Sequence, residues 1–436
     1  MLDQYGRNID YLRISLTDRC NLRCIYCMPE EGICQIPREE LLNEDEILRI
    51  CTCAKTLGIS KIKLTGGEPL VRKICTPLVK KLKELPGICQ VTLTTNGILL
   101  EEQLPQLVEN GLDGVNISLD TLQRDSFCSI TRRDELERVL EGIQAALAYP
   151  QLKIKINCVP TFQTEEDLVH LASFAKENVI HVRYIEMMPI GLGKNFTPRN
   201  EASIKALLEK AYGRMTPTEE TLGNGPCHYY MVKGFRGKIG FISALSHKFC
   251  NQCNRVRLTS TGYLKGCLQY EKGADLKKLL REGCTDEVLA ETIRRTIYEK
   301  PAGHNFQEKK NGNEEKHMMS QIGVFVKPLE KDFQKIFENE YDYIDPYLVN
   351  YGLYIVGNTS DGVEFNKFNY AKMNLSLINS NGETIMENIE QIYGNFYKIS
   401  NEKNKSYATR YTEFLENVKS IEYNFVGDNF YKEYYN

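Results

Sequence analysis

The sequence predicts an α/β protein: an incomplete (β/α)6 TIM-like barrel, a C-terminal region carrying a second cysteine cluster, and an appended α+β domain. Three observations support this. From residue 12 to about 190, short apolar runs alternate with helical patterns, and strands alternating with helices give βαβ units and a parallel sheet. Motifs capable of chemistry recur at the ends of those runs, where a barrel of this kind places its site. After Gly323 the composition changes: residues 324–436 hold 14 of the 25 tyrosines and none of the 15 cysteines. A chain of 436 residues is long enough for a barrel and more besides.

In chain order, the expected strands are Leu12–Leu16, Ile62–Leu64, Val91–Thr94, Val115–Leu119, Ile154–Val159 and Val182–Glu186, with helices such as Glu44–Leu57, Pro77–Leu85 and Leu136–Ala148 between them. Residues 1–194 are the expected barrel. Residues 195–323 form the second region, with a strand pair at Tyr229–Lys233 and Lys238–Ser243, helices at Leu276–Leu280 and Val288–Tyr298, and an exposed polar loop at Gln307–Lys316. Residues 324–436 are expected to form a separate domain.

Composition excludes several functions. A formal net charge of -3 lacks the basic excess of a general nucleic-acid binder. No apolar run approaches the roughly 20 residues needed to cross a bilayer, and no signal peptide is visible, so a cytoplasmic location away from membranes is expected. In such a compartment 15 cysteines point to metal or redox chemistry rather than disulfides. Cys51, Cys53, Cys75, Cys89, Cys128 and Cys158 sit among apolar neighbours and read as small core residues.

Cys20, Cys24 and Cys27 follow the first strand with three and then two residues between them. Three thiolates on one loop suit a 4Fe-4S cluster with one iron left open. A zinc knuckle completed by Cys34 is the alternative. Thr65-Gly66-Gly67-Glu68-Pro69 ends the second strand, Thr95-Asn96-Gly97 the third, and Ser118-Leu119-Asp120 the fourth. Each is individually a common turn or cap, and their shared register gives them weight. A second set, Cys250, Cys253 and Cys267, has two and then thirteen residues between its members. A zinc ribbon completed by Cys284 or His247 competes there with a second open cluster.

These residues resemble a known family. LRISLTDRCNLRCIYCMP, KLTGGEPLVR, VNISLD, VRYIEMMPIG, FCNQCNRVRLT followed by GCL, and MMSQIG resemble, in order across residues 1–323, the GTP 3′,8-cyclase family of the radical S-adenosylmethionine superfamily. The resemblance implies two 4Fe-4S clusters, on the first and second cysteine sets, with S-adenosylmethionine on the first. It implies cofactor contacts from Tyr26, Gly67, Glu68, Thr95, Ser118 and Met188. Substrate contacts would come from Arg13, Lys61, Lys155, Arg183, Arg255 and Arg257, and from Lys63, where the family usually has arginine. Arg255 and Arg257 alternate along an extended segment, so both can face one side, and they are the expected electrostatic or proton-donating catalytic groups. The implied reaction abstracts hydrogen from C3′ of GTP and joins that carbon to C8 of guanine, as the first step of molybdenum cofactor biosynthesis. Implied partners are a flavodoxin or ferredoxin electron donor, a downstream cyclic pyranopterin monophosphate synthase and a second copy in a homodimer. Another twin-cluster radical enzyme, or a zinc-ribbon binding protein without catalysis, is the competing function. Family members commonly end in Gly-Gly after the MSQIG-like motif, whereas here Val324 follows Gly323 and the chain continues to Asn436.

Overall fold

The computed structural model describes residues 1–33, 36–220, 222–306, 373–378, 384–386 and 420–425. Cys34, the Gln307–Lys316 loop, Gly323 and most of the appended segment lie outside the described residues. The chain divides into two units, Met1–Lys327 and Pro328–Asn436. The boundary expected at residue 194 corresponds to no break in the first unit, because one sheet runs through it.

All six expected barrel strands are present: β1 (Tyr11–Ser15), β2 (Lys61–Thr65), β3 (Gln90–Thr95), β4 (Gly114–Ser118), β5 (Lys153–Cys158) and β6 (His181–Ile185). They pair in parallel in sequence order. Next come β7 (Met215–Thr218), β8 (His228–Val232), β9 (Ile239–Ile242), β10 (Arg255–Leu258), β11 (Tyr263–Lys265) and β12 (Gly273–Asp275). The expected pair, β8 and β9, does not stand apart. β9 adds to β6 in parallel with β8 antiparallel beyond it, and β10 adds to β1 in parallel. The parallel run thus grows from six strands to eight, β10-β1-β2-β3-β4-β5-β6-β9, within a 12-stranded sheet.

The helices are α1 (Glu44–Thr56), α2 (Cys75–Glu84), α3 (Leu100–Glu109), α4 (Arg124–Thr131), α5 (Leu136–Leu147), α6 (Glu165–Glu177), α7 (Glu201–Tyr212), α8 (Leu276–Arg281) and α9 (Asp286–Tyr298). Local sequence starts several of them. Asn43 with Glu46, and Thr164 with Asp167, form reciprocal capping boxes on α1 and α6.

Alternate strand residues face the helices: Leu12, Ile14, Ile62, Leu64, Val115 and Ile117 are at most 1% exposed. Each such side chain contributes roughly 1.5–3 kcal/mol by leaving water. The intervening residues face the barrel interior and are polar, which positions the site. Cys51, Cys53, Cys75 and Cys158 are buried as expected, but Cys89 is exposed and Cys128 only half-buried. Their thiols approach the Ser60 carbonyl and the Asp134 carboxylate, so apolar neighbours in sequence did not mean a place in the core.

The second unit contributes β13 (Met373–Ile378), β14 (Thr384–Met386) and β15 (Ser420–Phe425), an antiparallel sheet in the order β14-β13-β15.

Candidate active site

The first cysteine loop leaves β1 and is tied down at each side. Arg23 and Ile25 donate backbone N–H to the carbonyls of Thr131 and Ile130, at the end of α4. The Tyr26 hydroxyl donates to Asp120 at 2.7 Å, and the other oxygen of Asp120 accepts the N–H of Val159 at 2.8 Å. The aromatic residue before the last cysteine therefore fixes the loop to the ends of β4 and β5. Burial raises Asp120 to about 6 against these bonds. Its role was not legible in sequence beyond its position after β4.

Glu68 is 1% exposed. It accepts from Thr95 Oγ1 at 2.8 Å, the Asn96 N–H at 2.6 Å and the Leu70 N–H at 3.0 Å. Burial pushes its carboxyl up to about 7. The carboxylate is thus spent on the protein, joining β2 to β3, rather than presented as an open counter-charge. Gly67 has a matching explanation: a Cβ there would lie 2.3 Å from the Arg19 carbonyl oxygen. Only glycine lets this turn press on the segment that enters the cysteine loop. Ser118 is exposed, Met188 half-buried, and both sit where their strands end.

The loop fits an iron–sulfur cluster by its donor set. Three thiols lie on one loop and act on one another electrostatically, and Cys20 Sγ accepts N–H bonds from Leu22 at 3.4 Å and Asn96 Nδ2 at 3.8 Å, the kind of bond to sulfur that tunes such clusters. Burial raises Cys20 to about 11, Cys27 to about 12 and Cys24 well above its ordinary value. Metal ligation would have to hold them as thiolates. Among the described residues, no three or more His, Cys, Asp or Glu are gathered for a single metal ion.

Below this loop a cavity of about 140 Å³ fills the barrel interior. Arg13, Lys63, Lys155, Arg183 and Arg255 line it, and no carboxylate does. Lys63 and Lys155 are 8% and 6% exposed, and with Arg13 they have no hydrogen-bond or ion-pair partner among the described residues. Arg183 reaches neutral groups, donating to the Asn157 side chain at 2.9 Å and lying beside the Tyr229 phenol. Unpaired buried charges cost several kcal/mol each, so this wall is built for an anion. Lys61 is the exception among the expected contacts. It starts β2, pairs with Asp10 at 2.8 Å and does not line the cavity.

The second cysteine set lies beside the same cavity because β10 joins β1. Arg255 and Arg257 lie on one face of β10, in register with Tyr11 and Arg13. The Arg255 guanidinium lies 5.1 Å from the Phe249 ring centroid. Burial raises the Cys253 thiol, but Arg255 and Lys300 more than offset this and bring it down to about 6. Lys300 is fixed by the Arg255 and Gly266 carbonyls at 3.0 and 2.5 Å. Neither proposed zinc completion is available: Cys284 packs against the helix layer near Cys53, and His247 faces Glu201 at 3.6 Å.

Further residues, in the DQYGR and VRYIEMMPIG segments that share the family resemblance, have positioning roles that the sequence did not reveal. Arg7 bonds Asp3 at 2.6 Å and donates to the carbonyls of Cys250, Pro301 and Ala302 at 2.7, 2.7 and 2.9 Å. Glu186, at the end of β6, accepts the N–H groups of Leu245 and Ser246 and so holds the loop leading to Cys250. Such roles depend on partners more than fifty residues away, which no local pattern signals.

A model of the Radical SAM superfamily matches residues 14–175, and one of Molybdenum Cofactor Synthesis C matches residues 180–306. A GTP 3′,8-cyclase of Clostridium perfringens is 46% identical over 324 residues, covering 74% of this chain and 100% of that protein. GTP 3′,8-cyclases of Moorella thermoacetica and Desulforamulus reducens are 43% and 42% identical, again over 74% of this chain and 100% of theirs. With these matches joined to the cysteine loops and the cationic barrel, the chain belongs to the GTP 3′,8-cyclase family of the radical S-adenosylmethionine superfamily.

Proposed function

We propose that the chain converts GTP to 3′,8-cyclo-7,8-dihydro-GTP, the first step of molybdenum cofactor biosynthesis. The observation that carries this is the barrel cavity, lined by cations without carboxylates. Cys20, Cys24 and Cys27 would hold the superfamily's 4Fe-4S cluster and its S-adenosylmethionine, and Cys250, Cys253 and Cys267 a second 4Fe-4S cluster. Bound there, the first cluster and S-adenosylmethionine would supply a 5′-deoxyadenosyl radical able to take the hydrogen from C3′ of the ribose, and closure onto C8 of guanine would need one further electron and a proton.

The chain's own residues do the rest. Arg13, Lys63, Lys155 and Arg183 pair with the triphosphate, the arginines through forked hydrogen bonds. Arg255 and Arg257 place positive charge where the purine would meet the second cysteine set, stabilising charge that develops on it. Tyr26 and Asp120 fix the first loop, while Glu68 and Thr95 fix the strand ends around the cofactor. Lys61 acts through Asp10, which also accepts from Asn254 Nδ2 at 2.7 Å, next to Arg255. A flavodoxin- or ferredoxin-type donor, a downstream cyclic pyranopterin monophosphate synthase, a homodimeric state and a cytoplasmic setting complete the proposal. Among the described residues no helix is long and apolar enough to cross a membrane.

The test is an anaerobic assay of reconstituted protein with GTP, S-adenosylmethionine and dithionite. Equal amounts of 5′-deoxyadenosine and cyclised nucleotide by mass spectrometry are expected. 5′-Deoxyadenosine with no cyclised nucleotide would remove the GTP assignment and leave the radical chemistry.

A further inference from the structure

Lys63 occupies the middle of β2 with its side chain in the barrel, 8% exposed and without a hydrogen-bond or ion-pair partner among the described residues. The charges acting on it come from several strands: Arg183 on β6, Arg13 on β1, Lys155 on β5 and Arg255 on β10. The other titratable groups on the wall offer no negative charge. Burial raises the Tyr11 phenol, and it pushes the Cys227 thiol up to about 11, so both are neutral near pH 7. No carboxylate lines the cavity.

An empty cavity with this wall must lower its own repulsion. Arginine cannot shed its proton in a protein, but lysine can. Three lysines line the cavity, of which Lys63 and Lys155 are buried and Lys153 is exposed. Lys155 is held at about 8, mainly by burial and then by Arg183. Lys63 faces more cations, and burial with their repulsion holds it well below its ordinary value.

We propose that Lys63 is uncharged in the empty cavity and takes a proton from solvent when a nucleoside triphosphate enters, so that it discriminates by substrate charge. The inference rests on the GTP reading above. The amine becomes an ammonium only when enough phosphate charge is present to offset the surrounding arginines. A nucleoside or monophosphate brings too little charge to secure that proton and forfeits the contact. The bound state then holds more protons than the free state, so affinity falls as pH rises through the range separating the two ionisations.

The experiment is anaerobic titration calorimetry of the cluster-loaded full chain with GTP at pH 8, without S-adenosylmethionine. At that pH the terminal phosphate, with an ordinary pKa near 6, is already ionised and supplies no proton. Titrations in HEPES and in Tris, whose ionisation heats differ, should give binding heats that differ by roughly 0.5–1 proton taken up per GTP. Lys63→Arg should bind GTP with the larger share of that uptake lost, and Lys155→Arg, which removes a group already about half charged at this pH, with the smaller share. Equal heats in the two buffers with the unaltered chain would overturn the proposal, as would undiminished uptake in Lys63→Arg. Failure of GTP to bind in either buffer would instead overturn the substrate reading on which it rests.

Discussion

The two cysteine loops use the same ligand type in opposite electrostatic surroundings. Around the first, the buried carboxylates Glu68 and Asp120 stand near the sulfurs, and Cys20 and Cys27 lie at about 11 and 12. Around the second, Arg255 and Lys300 draw Cys253 down to about 6. Net charge and hydrogen bonds set the potential of a cluster. A metal centre in the second loop would thus be stabilised in its more negative state, and one in the first would not. The contrast fits the proposed division between a loop for the cofactor and one for the anionic substrate.

The largest effect comes from removing one loop at a time. Cys24→Ala should lower 5′-deoxyadenosine formation by on the order of 10³-fold or more, since a cluster ligand is lost. Cys253→Ala should keep 5′-deoxyadenosine while cyclised nucleotide disappears. Equal loss of both products in the two variants would break the division of labour.

The next effect falls on the barrel cavity. Arg183→Met removes a forked cation from a buried wall and should raise the KM for GTP roughly 10–100-fold. Turnover at saturating GTP should change far less, and steady-state kinetics with varied GTP separates the two.

The comparison can also be sharpened without metal. In cluster-free protein at pH 7, iodoacetamide should alkylate Cys253 well before Cys20 or Cys27, because the thiolate is the reactive form. The sign follows from the ionisations: Cys253 is above its value of about 6, and the other two are far below theirs. Lys300→Met should slow Cys253 labelling at pH 7 by several-fold, read by peptide mass mapping. The smallest effect is expected for Tyr26→Phe. It loses one hydrogen bond to Asp120, worth about 1 to 3 kcal/mol with a charged acceptor, and should lower turnover by less than 100-fold while KM for GTP holds.

Much of the barrel was legible because its strands alternate strictly. One face of each strand is aliphatic against the helices, and Arg13, Lys155 and Arg183 occupy the other, so periodicity revealed both the strands and the site. The cysteine sets were legible from spacing. The joining of β9 and β10 to the barrel in parallel was not, since parallel neighbours are brought together by long crossovers rather than tight turns. The partner of Lys61 was hidden for a related reason: its strand was correct, but Asp10, which pairs with its ammonium, is on another segment. Gly67 and Glu68 were noticed for the right motif, yet their packing role is visible only where two loops touch. Asp3 and Arg7 belong to a segment, DQYGR, that shares the family resemblance, but nothing local named their distant partners.

That last pair has a consequence for how the chain is made. Arg7 is synthesised well before its carbonyl partners at Cys250, Pro301 and Ala302, which are separated from it by 243, 294 and 295 residues. At ordinary translation rates of about 5–20 residues per second, the partners emerge roughly 15–60 s after Arg7 does. Until then the guanidinium has only Asp3, and the amino-terminal segment waits as a loose end that later secures the finished barrel. A bulky insertion next to Asp3 would burden this closing step.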